Sequence, residues 1–235
     1  MDLKKYKVPA CMVCPVREKS LFNKIEGAEL EEINALKRSV TYKKKQTIFM
    51  AGTTPFGVHI VHYGKIKLTK INSLGIEQIV GFAKQGDTFG YQSLLGNKNY
   101  DITAIALEPS IICFIPKDKI LALIKSNDDF TLRLMEKGFT EFGDIANNYS
   151  DMLSKPLRQR IAMAILRISD TFGLRKDNSL DVALSREEIA NLALTTTASC
   201  IRTLSDFNKE AIIKLVGKNI QVINETALRQ EAEMY

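Results

Sequence analysis

Between about Thr41 and Pro116 apolar and polar residues alternate in short runs: QTIFMAG, VHIVHYGKIKLTKI, EQIVGFAKQG, DITAIAL and SIICFIP. Gly52, Gly64, Gly75, Gly86, Gly90 and Gly96 interrupt these runs. A period of two with glycine breaks predicts antiparallel strands joined by tight turns, so this region reads as a barrel or jelly-roll module. Ahead of it, Gly27–Ser39 carries Leu30, Ile33 and Leu36 at helical spacing, which predicts a short helix against one end of the roll.

Beyond Lys125 the period changes. Leu132, Met135, Phe139, Phe142, Ala146, Tyr149 and Leu153 alternate spacings of three and four, an a/d heptad seam. A helix packed only on its own domain usually shows a wider apolar stripe, so the narrow seam favours a parallel coiled-coil dimer. Gly138 and Gly143 weaken this helix when it stands alone. Lys155-Pro156 marks a hinge, because proline disfavours helix in the residue before it and suits a fresh helix start. PLRQRIAMAILRISDTF then predicts an amphipathic helix through Leu157, Ile161, Ile165, Ile168 and Phe172. A short strand over Asp181–Leu184, two helices, and a hairpin turning at Gly217-Lys218-Asn219 complete a winged helix-turn-helix pattern.

The two helices carry the clearest chemistry. Ser185 and Glu188 make an S-x-x-E capping box, which satisfies free amides and fixes the first start. Ile189 and Ala193 face inward, Thr195 and Thr196 supply a break and a hydroxyl cap, and Cys200, Leu204 and Phe207 fall on the buried side of the second helix. That leaves Thr197, Ala198, Ile201 and Arg202 outside. A second helix of this kind fits a DNA major groove. Arg202 can donate two hydrogens to guanine, while Thr197, Ala198 and Ile201 offer methyl groups to thymine. The expected DNA-contacting set is Ser185, Arg186, Thr196, Thr197, Ala198, Ser199, Ile201, Arg202, Lys209 and Lys218, with Lys155 and Lys214 as further phosphate partners.

Composition supports this reading. The 235-residue chain has a net charge of +6, which favours an acidic partner. No apolar run is long enough to cross a bilayer, and MDLKKYKVPACMVC lacks the apolar stretch of a signal peptide, so a cytoplasmic protein is expected. Four cysteines at these positions do not suggest a disulfide framework there. With two histidines and no nucleophile set or phosphate loop, no enzyme activity is expected. The fold class expected is α+β in three parts: an N-terminal arm and β-roll (1–125), a dimerisation helix (126–153) and a winged helix-turn-helix (154–235).

Taken in order, GKIKLTKINSLGIEQIVGFAKQGDTFG, ALEPSIICFIP, the long helix and SREEIANLALTTTASCIRTL resemble the catabolite-activator and fumarate–nitrate-reduction (CRP/FNR) family of bacterial transcription regulators. The resemblance implies a homodimer on a near-palindromic double-stranded operator, contact with RNA polymerase, and a signal received at a cyclic-nucleotide-binding-like roll. Some positions depart from the family pattern. Leu194 stands at a turn where glycine is common, and Ala198 where glutamate is common; the first implies mild strain and the second a changed operator. At the effector pocket the corresponding residues are Gly90, Tyr91, Gln92, Tyr100 and Asp101. Asp101 would repel a phosphate, so cyclic AMP is not the expected signal. Cys11, Cys14 and Cys113 match three of the four iron–sulfur ligands of the oxygen-sensing branch, and Ser20 stands in place of the other. His59 and His62 fall on opposite strand faces and cannot share one metal, although either alone is a candidate haem ligand. The rival to a regulator is a dimeric effector-binding or protein-interaction module with a degenerate helix-turn-helix.

Overall fold

The computed structural model describes residues 7–73 and 75–233, so the expected module boundaries at 1 and 235 lie outside the described residues. The chain divides into two compact units: residues up to Lys70 with Gly81–Gly143, and Ile71–Val80 with the chain from Asp144 onward.

The alternating region forms β1 (Arg38–Tyr42), β2 (Thr47–Phe49), β3 (Gly57–Tyr63), β4 (Ile66–Ile71), β5 (Glu77–Ala83), β6 (Thr88–Phe89), β7 (Thr103–Ala106) and β8 (Ser110–Pro116). They make two four-stranded sheets, ordered β1-β8-β3-β6 and β2-β7-β4-β5. Strand alternation sends one set of side chains between the sheets, where Phe49, Val61, Ile66, Phe89, Tyr100, Ala104 and Ile112 form one core cluster. The opposite set, including Val58, Ile60, Cys113 and Ile115, packs with Cys11, Phe22, Ile25, Leu30, Ile33 and Phe130. At the β3–β4 turn Gly64 has φ 103°, and a Cβ there would lie 2.1 Å from Ser110 Oγ, so no other residue fits without displacement.

Helices surround the roll. α1 (Gly27–Leu36) buries Leu30 and Ile33, as the spacing predicts, but leaves Leu36 exposed. α2 (Tyr91–Leu95) and α3 (Lys117–Ser126) follow β6 and β8. α4 (Asp128–Ser154) buries Phe130 and Leu134 near its start.

In the second unit, Pro156 caps α5 (Leu157–Phe172), whose buried face includes Ile161, Ile165 and Ile168. α6 (Arg186–Leu192) and α7 (Thr197–Lys209) lead into the hairpin β9 (Ile213–Val216) and β10 (Asn219–Val222), and α8 (Glu225–Glu233) ends the described chain. Two expectations need correction. Asp181–Leu184 is not a strand: Leu180, Val182 and Leu184 are buried in alternation, but the Leu180 N–H donates to Ile220 O and the Asp181 N–H to Gly173 O, so no ladder runs along it. The hairpin turn is also shorter than expected. Val216 pairs with Asn219, leaving Gly217-Lys218 as a two-residue loop whose first residue has φ 58°.

Candidate nucleic-acid interface

The pair α6–α7 is fixed by its caps. Ser185 Oγ accepts from the Glu188 N–H at 3.1 Å, and Glu188 Oε2 accepts from the Ser185 N–H at 2.8 Å, the reciprocal box expected from the sequence. Leu194, at the turn, has φ 50°, a left-handed conformation costly for a residue with a branched side chain. Its carbonyl accepts from Arg160 Nη1 at 3.1 Å, and the Thr195 N–H donates to Ala190 O at 3.0 Å, so the turn is held from both sides. Thr196 Oγ1 then accepts from the Ser199 N–H at 3.2 Å and starts α7.

One face of α7 is fully used: Cys200, Leu204 and Phe207 have no accessible surface, and burial pushes the Cys200 thiol up to about 11. The opposite face carries Thr197, Ala198, Ile201 and Arg202, all exposed, with Arg202 Nη2 donating to Ser199 Oγ at 3.1 Å. Arg158 on α5 braces the far end. Its guanidinium pairs with Glu210 and with Glu231 of α8, and lies 4.6 Å from the Phe207 ring centroid.

The basic residues differ in freedom. Lys214 and Lys218 are exposed on the hairpin, and Lys209 is exposed beside Asp206 at 3.3 Å. Arg186 is half-buried and donates from Nη2 to Gly217 O at 3.1 Å, joining α6 to the hairpin turn. Lys155 donates to Ala232 O at 3.0 Å.

On α4 the heptad residues are bare. Leu132, Met135, Phe139, Phe142, Tyr149 and Leu153 are at least half exposed, Phe139 and Phe142 at 70% and 71%. Ala146 is also exposed, and Ile145, which the heptad reading missed, lies beside it on the same stripe.

At the roll, the residues matching the effector pocket are engaged within the protein. Gly90 (φ 82°) caps α2, and a Cβ there would lie 3.3 Å from His59, Phe49 and Tyr100 alike. Tyr91 is buried and donates its hydroxyl to Glu141 of α4 at 2.6 Å; burial and this carboxylate hold the phenol well above its usual range. Gln92 Nε2 donates to the same oxygen at 2.7 Å. Tyr100 stacks on Phe49 at 3.9 Å, while Asp101 pairs with Lys98 on the exterior.

His59 is closed in by Phe49, Phe89 and Phe114, with ring centroids 5.1, 5.4 and 5.3 Å away, so a porphyrin does not fit at this nitrogen. Among the described residues its Nδ1 has no hydrogen-bond partner, and burial lowers its pKa from 6.5 to about 4. Above pH 6.5 the folded and unfolded chains are both neutral here and nothing is lost. As pH falls below that value only the unfolded chain takes up the proton, so stability declines until the folded pKa is passed, by about 3 kcal/mol in all. Replacing His59 with leucine should remove this share of the acid loss; urea unfolding at pH 7 and pH 4.5 of both proteins measures it.

Cys11, Cys14, Cys113, His62 and Ser20 line one cavity, together with Arg17 and Lys37. Burial raises the Cys113 thiol, and burial followed by the Lys37 charge lowers His62. Ser20 is not a free donor, because its hydroxyl donates to Arg17 O at 2.8 Å and accepts from the Phe22 N–H at 3.2 Å. Ser20, which stands in place of the missing cluster ligand, therefore does not complete the set of Cys11, Cys14 and Cys113. Among the described residues no three Cys, His, Asp or Glu side chains already converge on a metal position, and no helix is long and apolar enough to cross a membrane.

Comparison with known proteins adds to this geometry. Residues 39–127 match the cyclic nucleotide-binding domain, and residues 159–231 match the Crp-like helix-turn-helix domain. The fumarate and nitrate reduction regulatory proteins of Escherichia coli K12 and Yersinia pestis are each 27% identical over 225 residues, 94% of this chain and 90% of theirs. Among solved structures, FixK2 from Bradyrhizobium japonicum aligns with a TM-score of 0.75 at 19% identity, covering 85% of this chain and 98% of that one. A CRP/FNR-family transcriptional regulator from Thermus thermophilus aligns at 0.70 with 18% identity, covering 83% of this chain and 98% of that one.

Proposed function

Since the chain belongs to the CRP/FNR family and is a transcription regulator with a helix-turn-helix DNA-binding domain, we propose that it works as a homodimer joined along the α4 stripe. Each protomer lays one α7 in the major groove of a near-palindromic operator. The roll (1–125), dimer helix (126–153) and winged module (154–235) are its working parts, and RNA polymerase is the further partner that membership implies. The carrying observation is the division of α7 into a face with no accessible surface and a bare face ending in Arg202. A helix so anchored presents Thr197, Ala198, Ser199, Ile201 and Arg202 outward, while Ser185, Thr196, Lys209 and Lys218 flank them for phosphate contacts. Arg186 acts through the hairpin turn that it holds.

Binding to genomic DNA fragments at graded salt tests this reading. A regulator shows preferred fragments and a steep fall of affinity with salt, whereas a degenerate interaction module shows neither.

Ala198 supplies a sharper test. An alanine cannot accept a hydrogen bond from cytosine N4, so discrimination is relaxed at the base pair it faces. Ala198→Glu should introduce a cytosine preference there worth about 1–3 kcal/mol, read by selection from random DNA. Selected sites identical for the two proteins would exclude this placement of α7.

The signal at the roll is not cyclic AMP in this reading. Asp101, which the family resemblance matches to a phosphate-binding position, carries a carboxylate paired with Lys98 on the exterior, and Tyr91 and Gln92 are already bonded to Glu141. Calorimetric titration with cyclic AMP should give no binding heat.

A further inference from the structure

We propose that Arg160 of α5 is a positioning residue for the DNA-reading helix: its bond to the Leu194 carbonyl holds the left-handed turn before α7, and through that turn sets how Arg202 meets its base. This role rests on the placement of α7 in a major groove.

Nothing in the leucine itself favours the turn. Leu194 has φ 50°, where a Cβ crowds the backbone, and it is 43% exposed, so burial does little to offset the strain. Its own N–H reaches Asn191 O only at 3.3 Å. A residue held in such a conformation persists where its surroundings impose it.

The brace comes from a rigid helix. Arg160 stands between Gln159 and Ile161, which are 6% and 0% exposed, and its N–H donates to Pro156 O at 3.1 Å in the first turn of α5. Its Nη1 reaches Leu194 O at 3.1 Å, across 34 positions. Among the described residues Arg160 Nε is buried with no hydrogen-bond partner. A guanidinium on a helix surface can keep all its N–H groups in water, so the hydration given up at Nε marks an orientation imposed by what Nη1 must reach.

From the turn the effect runs along hydroxyls. Thr196, two residues on, caps α7: its Oγ1 accepts from the Ser199 N–H at 3.2 Å and donates to Ser199 Oγ at 3.0 Å. Ser199 Oγ also accepts from Arg202 Nη2 at 3.1 Å. Leu194, Thr196, Ser199 and Arg202 therefore move together. A bidentate contact is sensitive to such movement, because both N–H groups must meet guanine N7 and O6 at once.

Glycine at position 194 would need no brace, since it takes positive φ freely. Parent, Arg160→Met, Leu194→Gly and the double variant are titrated by fluorescence anisotropy on the selected operator and on a copy with the guanine facing Arg202 replaced. Methionine keeps the unbranched stem and removes the donor. Titrations are run below the thermal transition of the least stable variant, so that folding and positioning are read separately. Arg160→Met should weaken operator binding by about tenfold, the scale of one hydrogen bond, and shrink the preference for guanine by a similar factor. Loss of a positive charge alone would weaken both duplexes equally and leave the preference intact. In the Leu194→Gly background the same substitution should change the preference by less than about twofold. A preference that Arg160→Met keeps in full, or loses equally in both backgrounds, would overturn the positioning role and leave the placement of α7 standing. A parent without the preference would overturn both.

Discussion

Replacing Phe139 and Phe142 together with glutamate should leave the protein monomeric at micromolar concentration and abolish tight operator binding. The two rings are 70% and 71% exposed on α4, so neither supports the fold of its own protomer. Burial of a phenylalanine side chain contributes about 1.5–3 kcal/mol, and a symmetric dimer loses two rings from each protomer, about 6–12 kcal/mol in all. Four carboxylates in their place add repulsion. The loss on DNA follows from linkage: a second half-site held at millimolar effective concentration raises affinity about 10²–10⁴-fold, and a monomer forfeits that gain. Analytical ultracentrifugation and an operator titration measure the two effects. The thermal transition of the winged unit should not move, since Phe139 and Phe142 lie in the other compact unit.

Arg202→Ala should weaken binding to the specific site by about 1–3 kcal/mol per half-site, so that a full operator loses about twice that. Arg202 is exposed and, among the described residues, its side chain donates to Ser199 Oγ, so the substitution removes the proposed base-reading group without opening the core. Nonspecific binding and its salt slope should barely change, because phosphate contacts by Lys214 and Lys218 supply that part. Fluorescence anisotropy on the parent operator, and on one with the facing guanine replaced, separates the contributions. The variant should bind both equally; a variant that still prefers the guanine would place the contact elsewhere.

How much of this was legible in the chain depends on the range of the interactions concerned. The capping box at Ser185 and Glu188 and the Thr196 cap depend on neighbours within a few residues and are read from the sequence as they stand in the structure, whereas the left-handed Leu194 was signalled by the family resemblance and is braced by Arg160, 34 positions away. The α4 stripe is equally local. α3 and α8 were missed for opposite reasons. α3 continues directly from the apolar strand SIICFIP, so no break marks its start. α8 buries only Leu228 and Ala232 among charged residues, and it is tied down by Glu231 pairing with Arg158, 73 positions away. Asp181–Leu184 misled because Val182 and Leu184 are buried in alternation without a ladder, the Asp181 amide donating instead to Gly173 O. At the roll, Ser20 was legible as a departure, but the approach of His62 on β3 to Cys14 on the N-terminal arm spans 48 positions. The bond from Tyr91 to Glu141 spans 50 and carries no local trace. In each such case the side chains involved are polar groups meeting across tertiary contacts, where neither periodicity nor turn chemistry gives a signal.

Selection of binding sites from random DNA, followed by footprinting of the winning sequence, tests the central claim most directly. Two α7 helices carried by one dimer predict an inverted repeat whose half-sites are centred about one helical turn apart, roughly 34–36 Å, each containing a guanine lost when Arg202 is removed. An unrepeated site protected by one copy of the chain, or no enriched sequence at all, would contradict it.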